Sequence, residues 1–302
     1  MSILVSGGAG FIGAALANAY SADGADVHVL VRPGSSAMRI DAGGGITRHD
    51  VDVADLDDLA PVIERIDPTV VINCAASGYE AAQTSSHLQI WRDTVFTTVS
   101  LLEALRRRPP RRLVHVCSAL VYAPSHDPHR EDESIGPTTQ RGTLKAAAWL
   151  EVQHWQRRTG ATVTTVRPSS VYGPGEAPAR VIPTLLGAMR GGTTFRTRSA
   201  TSARDFVHVD DVIAGIRLAA QLPAAANRTF NLGTGIATSV SDLIATAERI
   251  AGRPLTIDSE ALPPRDTDGI CVVADTTRAQ AVLGWTARID LEAGLRRLWA
   301  ST

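Results

Sequence analysis

Three glycines in GGAGFIG, Gly7, Gly10 and Gly13, follow the apolar run ILVS within one residue and open the amphipathic stretch FIGAALANAYSADG. Strand, glycine turn and helix in that order suit a dinucleotide pyrophosphate: the glycines permit a tight turn and close backbone approach, and the helix start directs free N–H groups and the positive dipole end at the anion. Where such a site takes NAD, an acid at the end of the second strand receives the ribose hydroxyls. Here the second apolar run ends VHVLVR, which puts Val31 and Arg32 at that place. Arg32, with Gly34, Ser35 and Ser36 close behind, suits a 2′-phosphate through charge-assisted hydrogen bonds. The expected cofactor is therefore NADP or NAD, with a preference for NADP. Asp50, at the end of ITRHD, is placed to meet the adenine amino group.

The elements that must hold these residues alternate in a βαβα rhythm: ILVS at 3–6, DVHVLV at 26–31, TVVINCAA at 69–76, RLVHVCSA at 112–119 and TVTTVRP at 162–168, with amphipathic stretches between them. The runs are apolar without strict alternation, as in strands covered on both faces. The fold class expected is α/β, a doubly wound parallel Rossmann sheet, with a smaller C-terminal α/β lobe. Residues 1–174 form the expected dinucleotide-binding domain and 175–302 mainly a substrate lobe, with the chain crossing back to the first domain at about 204–235.

Bulk properties narrow the class. The 302 residues carry 30 Lys plus Arg against 31 Asp plus Glu, no excess that would drive binding to nucleic acid or an anionic membrane. Cys74, Cys117 and Cys271 form no CxxC pair and read as reduced cytosolic thiols. The N-terminus lacks the basic start of a signal peptide, and no apolar run approaches the roughly 18 residues of a membrane span. A soluble cytoplasmic protein is expected. The polar segment SHDPHRED at 125–132, with His126 and His129, reads as a solvated loop, and no metal site is expected. RRRPPRR at 106–112 reads as a solvated helix end, and His208 as a structural histidine bonded to a neighbouring carboxylate.

With these motifs in hand, the chain resembles the NAD-dependent epimerase/dehydratase group of extended short-chain dehydrogenases. Beyond GGAGFIG the resemblance rests on VVINCAA, CSALVY, VRPSSVYGPG, RDFVHVDDV, FNLGTG and ADTTRAQAVLGW, in order along nearly the whole sequence. It implies an enzyme acting on a nucleotide-sugar by epimerisation, dehydration or ketone reduction. It also implies cofactor contacts from Phe11, Ile12, Val51, Ala75, Ala76, Lys145, Pro168 and Ser169. The family's reaction centre is a Ser or Thr after a CSA-like strand, then Tyr and Lys spaced YxxxK. The hydroxyl holds the sugar oxygen, the Tyr exchanges its proton as hydride moves, and the Lys lowers the Tyr pKa and binds the nicotinamide ribose.

Ser118 and Lys145 match the ends of that pattern, but RGTLK puts Arg141 where the family has tyrosine. Arginine stays charged and cannot serve as a base at neutral pH. Three readings stay open: proton transfer by another group, with Tyr79, Tyr122, Tyr172 and Glu133 as candidates; a non-redox elimination, tautomerisation or cyclisation in which Arg141 grips an anionic group; or a catalytically weak cofactor-binding partner or sensor protein. On the substrate side the resemblance implies that Arg204 and Arg265 clasp the diphosphate, with Tyr79 and Ser118 near the sugar. Asn231 is expected to support packing between lobes. A homodimer through helices at 86–107 and 141–158 is the oligomer the resemblance implies.

Overall fold

A computed structural model describes residues 1–36, 38–41, 43–78, 84–125, 127–197, 202–258 and 272–301. Tyr79, Arg265, His126 and Cys271, singled out above, lie outside the described residues. Seven strands form one sheet: β1 (Ser2–Ser6), β2 (Asp26–Val31), β3 (Ile46–Asp50), β4 (Val70–Asn73), β5 (Arg112–Val116), β6 (Val163–Pro168) and, after four short strands, β11 (Thr229–Leu232). Their order is β11-β6-β5-β4-β1-β2-β3 and every pairing is parallel. This is the doubly wound α/β sheet expected from the sequence.

The apolar runs form strands because both sides of each are covered. Ile3, Val5, Val27, Val29, Val70, Ile72 and Val114 share a core with the helices Phe11–Ala22 and Val209–Gln221. Their neighbours Leu4, Leu30, Val71, Leu113 and Val163 share the opposite core with Leu56–Ile66, Thr97–Ala104 and Gln140–Thr159. At roughly 1.5–3 kcal/mol for each fully buried aliphatic side chain, these two layers dominate the sheet's stability. β3 carries no apolar run that would mark it as a strand. Its sequence ITRHD is polar, it sits at the sheet edge, and it is held by its ladder with β2 rather than by burial.

A second core of Ile182, Leu185, Leu186, Met189, Phe195, Leu243, Ile244 and Leu295 joins the helices Val181–Gly191, Val240–Ala251 and Leu291–Ala300, and takes in Tyr172 and Phe206. Those two residues lie on β7 (Ser170–Tyr172) and β10 (Phe206–His208), which pair in parallel. Before β10 lies β9 (Ala203–Arg204), which pairs with residues 238–239. β11 then pairs with β6 in the main sheet.

Two polar segments expected at the surface are partly interior. Arg112, from RRRPPRR, is buried; its guanidinium donates to Thr164 Oγ1 (2.7 Å) and to the Ala219 and Leu222 carbonyls. It is thus a cation at the C-terminal end of the Val209–Gln221 helix, where the dipole favours it. In the 125–132 segment His129 and Glu131 are buried. His129 stacks on Tyr122 at 4.6 Å between ring centres, and Glu131 Oε1 accepts from Asn231 N at 2.8 Å. Composition alone hides such burial, since each polar group is satisfied by a partner distant in sequence. Among the described residues, no helix is long and apolar enough to cross a membrane.

Candidate active site

Parallel strands end on one edge, and the candidate residues stand just past those ends: Gly7 after β1, Arg32 after β2, Val51 after β3, Ala75 and Ala76 after β4, Ser118 after β5 and Ser169 after β6. Strand order reverses at β1, which pairs with β2 on one side and β4 on the other. Ligands of open α/β sheets bind in the crevice at such a reversal.

At that crevice the glycine turn is compact. Gly7 has φ +69°, and a Cβ there would stand 2.9 Å from the backbone of Ala75. A Cβ on Gly13 would stand 2.3 Å from the Gly7 carbonyl oxygen. Gly10 caps the Phe11–Ala22 helix with no side-chain hydrogen bond, and the first turn holds no acid. Two other helices beside the sheet differ: Asp55 caps Leu56–Ile66 and Thr139 caps Gln140–Thr159. The helix that opens at the turn therefore keeps its first N–H groups, those of Phe11 and Ile12 included, for an anion. Arg39, which carries no sequence signal, reaches across this turn; its Nε donates to the Gly175 carbonyl at 2.9 Å and its Nη1 approaches the Ala9 carbonyl at 3.5 Å.

On the adenosine side, Arg32 is half exposed and its Nη2 lies 3.3 Å from Oδ2 of the buried Asp93, whose other oxygen accepts from Gln89 Nε2 at 2.8 Å. Asp50 pairs with Arg48, 2.9 Å from its Nε, and Val51 N donates to the Val31 carbonyl.

Between the turn and the reaction residues lies a buried polar network. Ser6 Oγ donates to Asn73 Oδ1 (2.7 Å), Asn73 Nδ2 meets Thr98 Oγ1 (3.2 Å) and His115 Nδ1 (3.3 Å), and Asn73 Oδ1 also accepts from Ala75 N. Burial, with Lys145 adding to it, pushes the His115 pKa down to about 3. A neutral folded-state histidine means that stability falls as pH drops from the ordinary 6.5 toward 3, because the unfolded chain binds the extra proton. Between pH 6.5 and 4.5, unfolding free energy from urea titrations should therefore fall more steeply for the wild type than for His115→Asn, by about 1.4 kcal/mol per pH unit. Parallel slopes would contradict a neutral His115.

Of the residues expected to do chemistry, Arg141 and Lys145 line one small cavity together with Ala76, Ser77, Ile90, Thr94 and Leu144, and Ser118 is not part of that lining. Arg141 and Lys145 lie one turn apart on the Gln140–Thr159 helix. Lys145 Nζ donates to the Val116 carbonyl at 2.9 Å. Burial holds its ammonium below the usual lysine range; nearby Cys117 and Cys74 oppose the shift and Arg141 adds to it. Ser118 caps the short helix Ala119–Val121, its Oγ accepting from Leu120 N at 3.2 Å.

Ser169 Oγ donates to Asp205 Oδ2 at 3.2 Å, and the same carboxylate accepts from Thr234, Gly235 and Ala274 N–H groups. Asp205 thus ties the end of β6, with Pro168, to the FNLGTG loop. Arg204 beside it is half-buried, with Nη1 on the Ala203 carbonyl at 2.7 Å. Of the tyrosines weighed as proton donors, Tyr122 is buried with its hydroxyl between Arg167 Nη1 (2.7 Å) and Asn231 Oδ1 (2.8 Å). Tyr172 belongs to the second core and donates to the Asp290 carbonyl. Glu133 accepts from Arg130 N and pairs with His129. His208 caps the Val209–Gln221 helix, its Nδ1 accepting from Asp210 N and lying 3.5 Å from Asp210 Oδ2.

The profile of the NAD dependent epimerase/dehydratase family matches residues 3–233. A UDP-glucose 4-epimerase of Mycolicibacterium smegmatis is 30% identical, over 98% of this chain and 97% of its own. The solved UDP-glucose 4-epimerase of Thermotoga maritima with UDP-glucose superimposes with a TM-score of 0.89 at 25% identity, over 98% of this chain and 96% of that one. MoeE5, solved with UDP-glucose and NAD, superimposes with a TM-score of 0.85 at 28% identity, over 100% and 99%.

Proposed function

The chain belongs to the NAD dependent epimerase/dehydratase family, and from that premise we propose that it binds a nicotinamide dinucleotide along Gly7–Gly13 and converts a nucleotide-linked sugar in the crevice between the sheet edge and the second core. The observation that carries this reading is the continuity of the site: Gly7 packs on Ala75, and the next residues, Ala76 and Ser77, line the same cavity as Arg141 and Lys145. The glycine turn fits the cofactor because the close approaches at Gly7 and Gly13 leave no room for side chains and the helix start is uncapped. The cofactor, when bound, supplies a reversible hydride acceptor. Phe11, Ile12 and Gly13 would hold its pyrophosphate with backbone N–H groups, Val51 and Asp50 would flank its adenine, and Ala75, Pro168 and Ser169 would line its path toward Lys145. Ser118 would hold the reacting sugar oxygen, and Arg204 the substrate diphosphate.

The choice between NADP and NAD turns on Arg32. Asp93 already engages this guanidinium, so a 2′-phosphate must share the cation, and the NADP preference read from the sequence should be small. Arg32→Ala is expected to weaken NADP binding about tenfold, near the low end for a charged hydrogen bond, and NAD binding much less; equal losses in fluorescence titrations would remove the 2′-phosphate contact.

A second reading, a non-redox elimination or tautomerisation, is favoured by the fixed cation Arg141 in the reaction cavity. Both readings need the same ligand. In calorimetry with NAD present, UDP-glucose or another nucleotide-sugar should bind and the matching free sugar should not; a cofactor-loaded protein that takes up none of a nucleotide-sugar panel contradicts the function. Exposed Leu88, Trp91, Phe96 and Leu150 on the two helical segments support a homodimer through that face, and the free thiols Cys74 and Cys117 fit a reducing cytoplasm.

A further inference from the structure

The sequence contains one lysine, Lys145; every other basic side chain of the Lys and Arg class is arginine. Arginine meets the structural needs for a cation in this chain. Arg112 caps a helix, and Arg167 is buried between the rings of Tyr122 and Trp149, 4.8 and 4.6 Å from their centres. What lysine offers and arginine does not is a proton that can leave.

The cavity that Lys145 lines contains, among the described residues, no other group able to titrate near neutral pH: its companions are Ala76, Ser77, Ile90, Thr94, Leu144 and the permanently charged Arg141. Of the described tyrosines, Tyr122 and Tyr172 are committed to the contacts given above, and Tyr20 is buried beneath the Arg217 guanidinium at 5.1 Å. The family's proton-transfer residue thus has no described phenolic substitute at this cavity.

We propose that Lys145 is itself the acid–base group of the site, taking the proton of the substrate hydroxyl as a neutral amine and returning it in the reverse direction. This rests on the nucleotide-sugar reading above. In the forward step the substrate O–H breaks and a Lys145 N–H forms, while the carbinol C–H breaks and its electron pair passes to the oxidised nicotinamide; the carbon becomes a ketone, oxidised by two electrons. The Nζ–H bond to the Val116 carbonyl persists in both protonation states, since the neutral amine keeps two N–H donors and turns one lone pair to the substrate.

The surroundings agree. Burial and Arg141 both favour the neutral amine. Cys117 and Cys74 oppose the shift, but burial is the larger cause and outweighs them; the same burial pushes Cys74 up to about 12 and raises Cys117. His115, the other titratable neighbour, is likewise held neutral. In this arrangement Arg141 acts as a positioning residue that keeps a second cation beside Lys145.

A single lysine makes the test direct. Protein grown on lysine labelled with ¹³C at Cε gives one lysine resonance, whose pH titration reports Lys145 without assignment. It should titrate below the ordinary lysine value of about 10.4, and Arg141→Leu should move it upward. In parallel, Lys145→Arg keeps the charge but cannot release a proton. It should lose turnover by about 10²-fold or more, the worth of a positioned acid–base group. A resonance titrating at or above the ordinary value, or turnover by Lys145→Arg within about threefold of wild type, would overturn the assignment. The titration needs no substrate, so it rules on Lys145 even for a protein that converts no nucleotide-sugar, and that second failure is read separately from product analysis.

Discussion

Arg141→Tyr should raise the rate of nucleotide-sugar oxidation or reduction by about 10- to 10²-fold. Residue 141 lies on the second position of the Gln140–Thr159 helix, and residue 145 follows one turn later on the same cavity, so the substitution rebuilds a phenol four residues before a lysine in YxxxK spacing. A positioned general acid–base group is worth about 10²–10⁴ in rate; the gain here should fall at the low end because Lys145 already moves the proton. Two further changes should accompany it. The lysine pKa should rise as the neighbouring cation is lost, and the pH dependence of kcat should pass to the phenol. Steady-state kinetics across pH on the purified variant checks both. An unchanged rate with an unchanged profile contradicts the placement of Arg141 beside the reacting atoms.

Gly13→Ala should abolish tight cofactor binding, with an expected rise in Kd of about 10²-fold. The added methyl carbon would sit 2.3 Å from the Gly7 carbonyl oxygen and 3.0 Å from its carbon, so the turn must move off the helix start by about an ångström before ordinary contact is restored. Displacement on that scale can cost about 10²-fold where orientation matters, because the N–H groups that meet the pyrophosphate are carried by the same helix. Overpacking should also lower stability by about 1–3 kcal/mol, so binding is measured at a temperature where circular dichroism shows the variant folded. A folded variant with wild-type NAD affinity would show that the close approach of Gly7 and Gly13 serves packing alone.

The sheet was legible because its strands are buried on both faces, and residues such as Ile3, Leu4 and Val5 leave no other explanation for a run of apolar side chains. β3 was not, because an edge strand such as ITRHD can be polar and still complete a ladder. The glycine turn was legible as a local pattern, as was the one-turn spacing of Arg141 and Lys145 on one helix. What escaped were the pairings between distant segments. Arg32 with Asp93, 61 residues apart, weakens the argument for a 2′-phosphate. Arg39 over the glycine turn carries no motif, and the burial of His129 and Glu131 depends on Tyr122 and Asn231 rather than on their own polar neighbours. The meaning of Arg141 was open for the same reason: its spacing to Lys145 is local, but where Tyr122 and Tyr172 sit depends on contacts with distant residues such as Asn231 and Asp290.

Conversion of a nucleotide-sugar at the Arg141–Lys145 cavity is decided by incubating the protein with a panel of nucleotide-sugars and their 4-keto derivatives, with NAD(H) and NADP(H) separately, while following absorbance at 340 nm together with product mass and stereochemistry. A product from at least one nucleotide-sugar is expected, lost in Lys145→Arg. Cofactor bound at the glycine turn and every sugar recovered unchanged would contradict it.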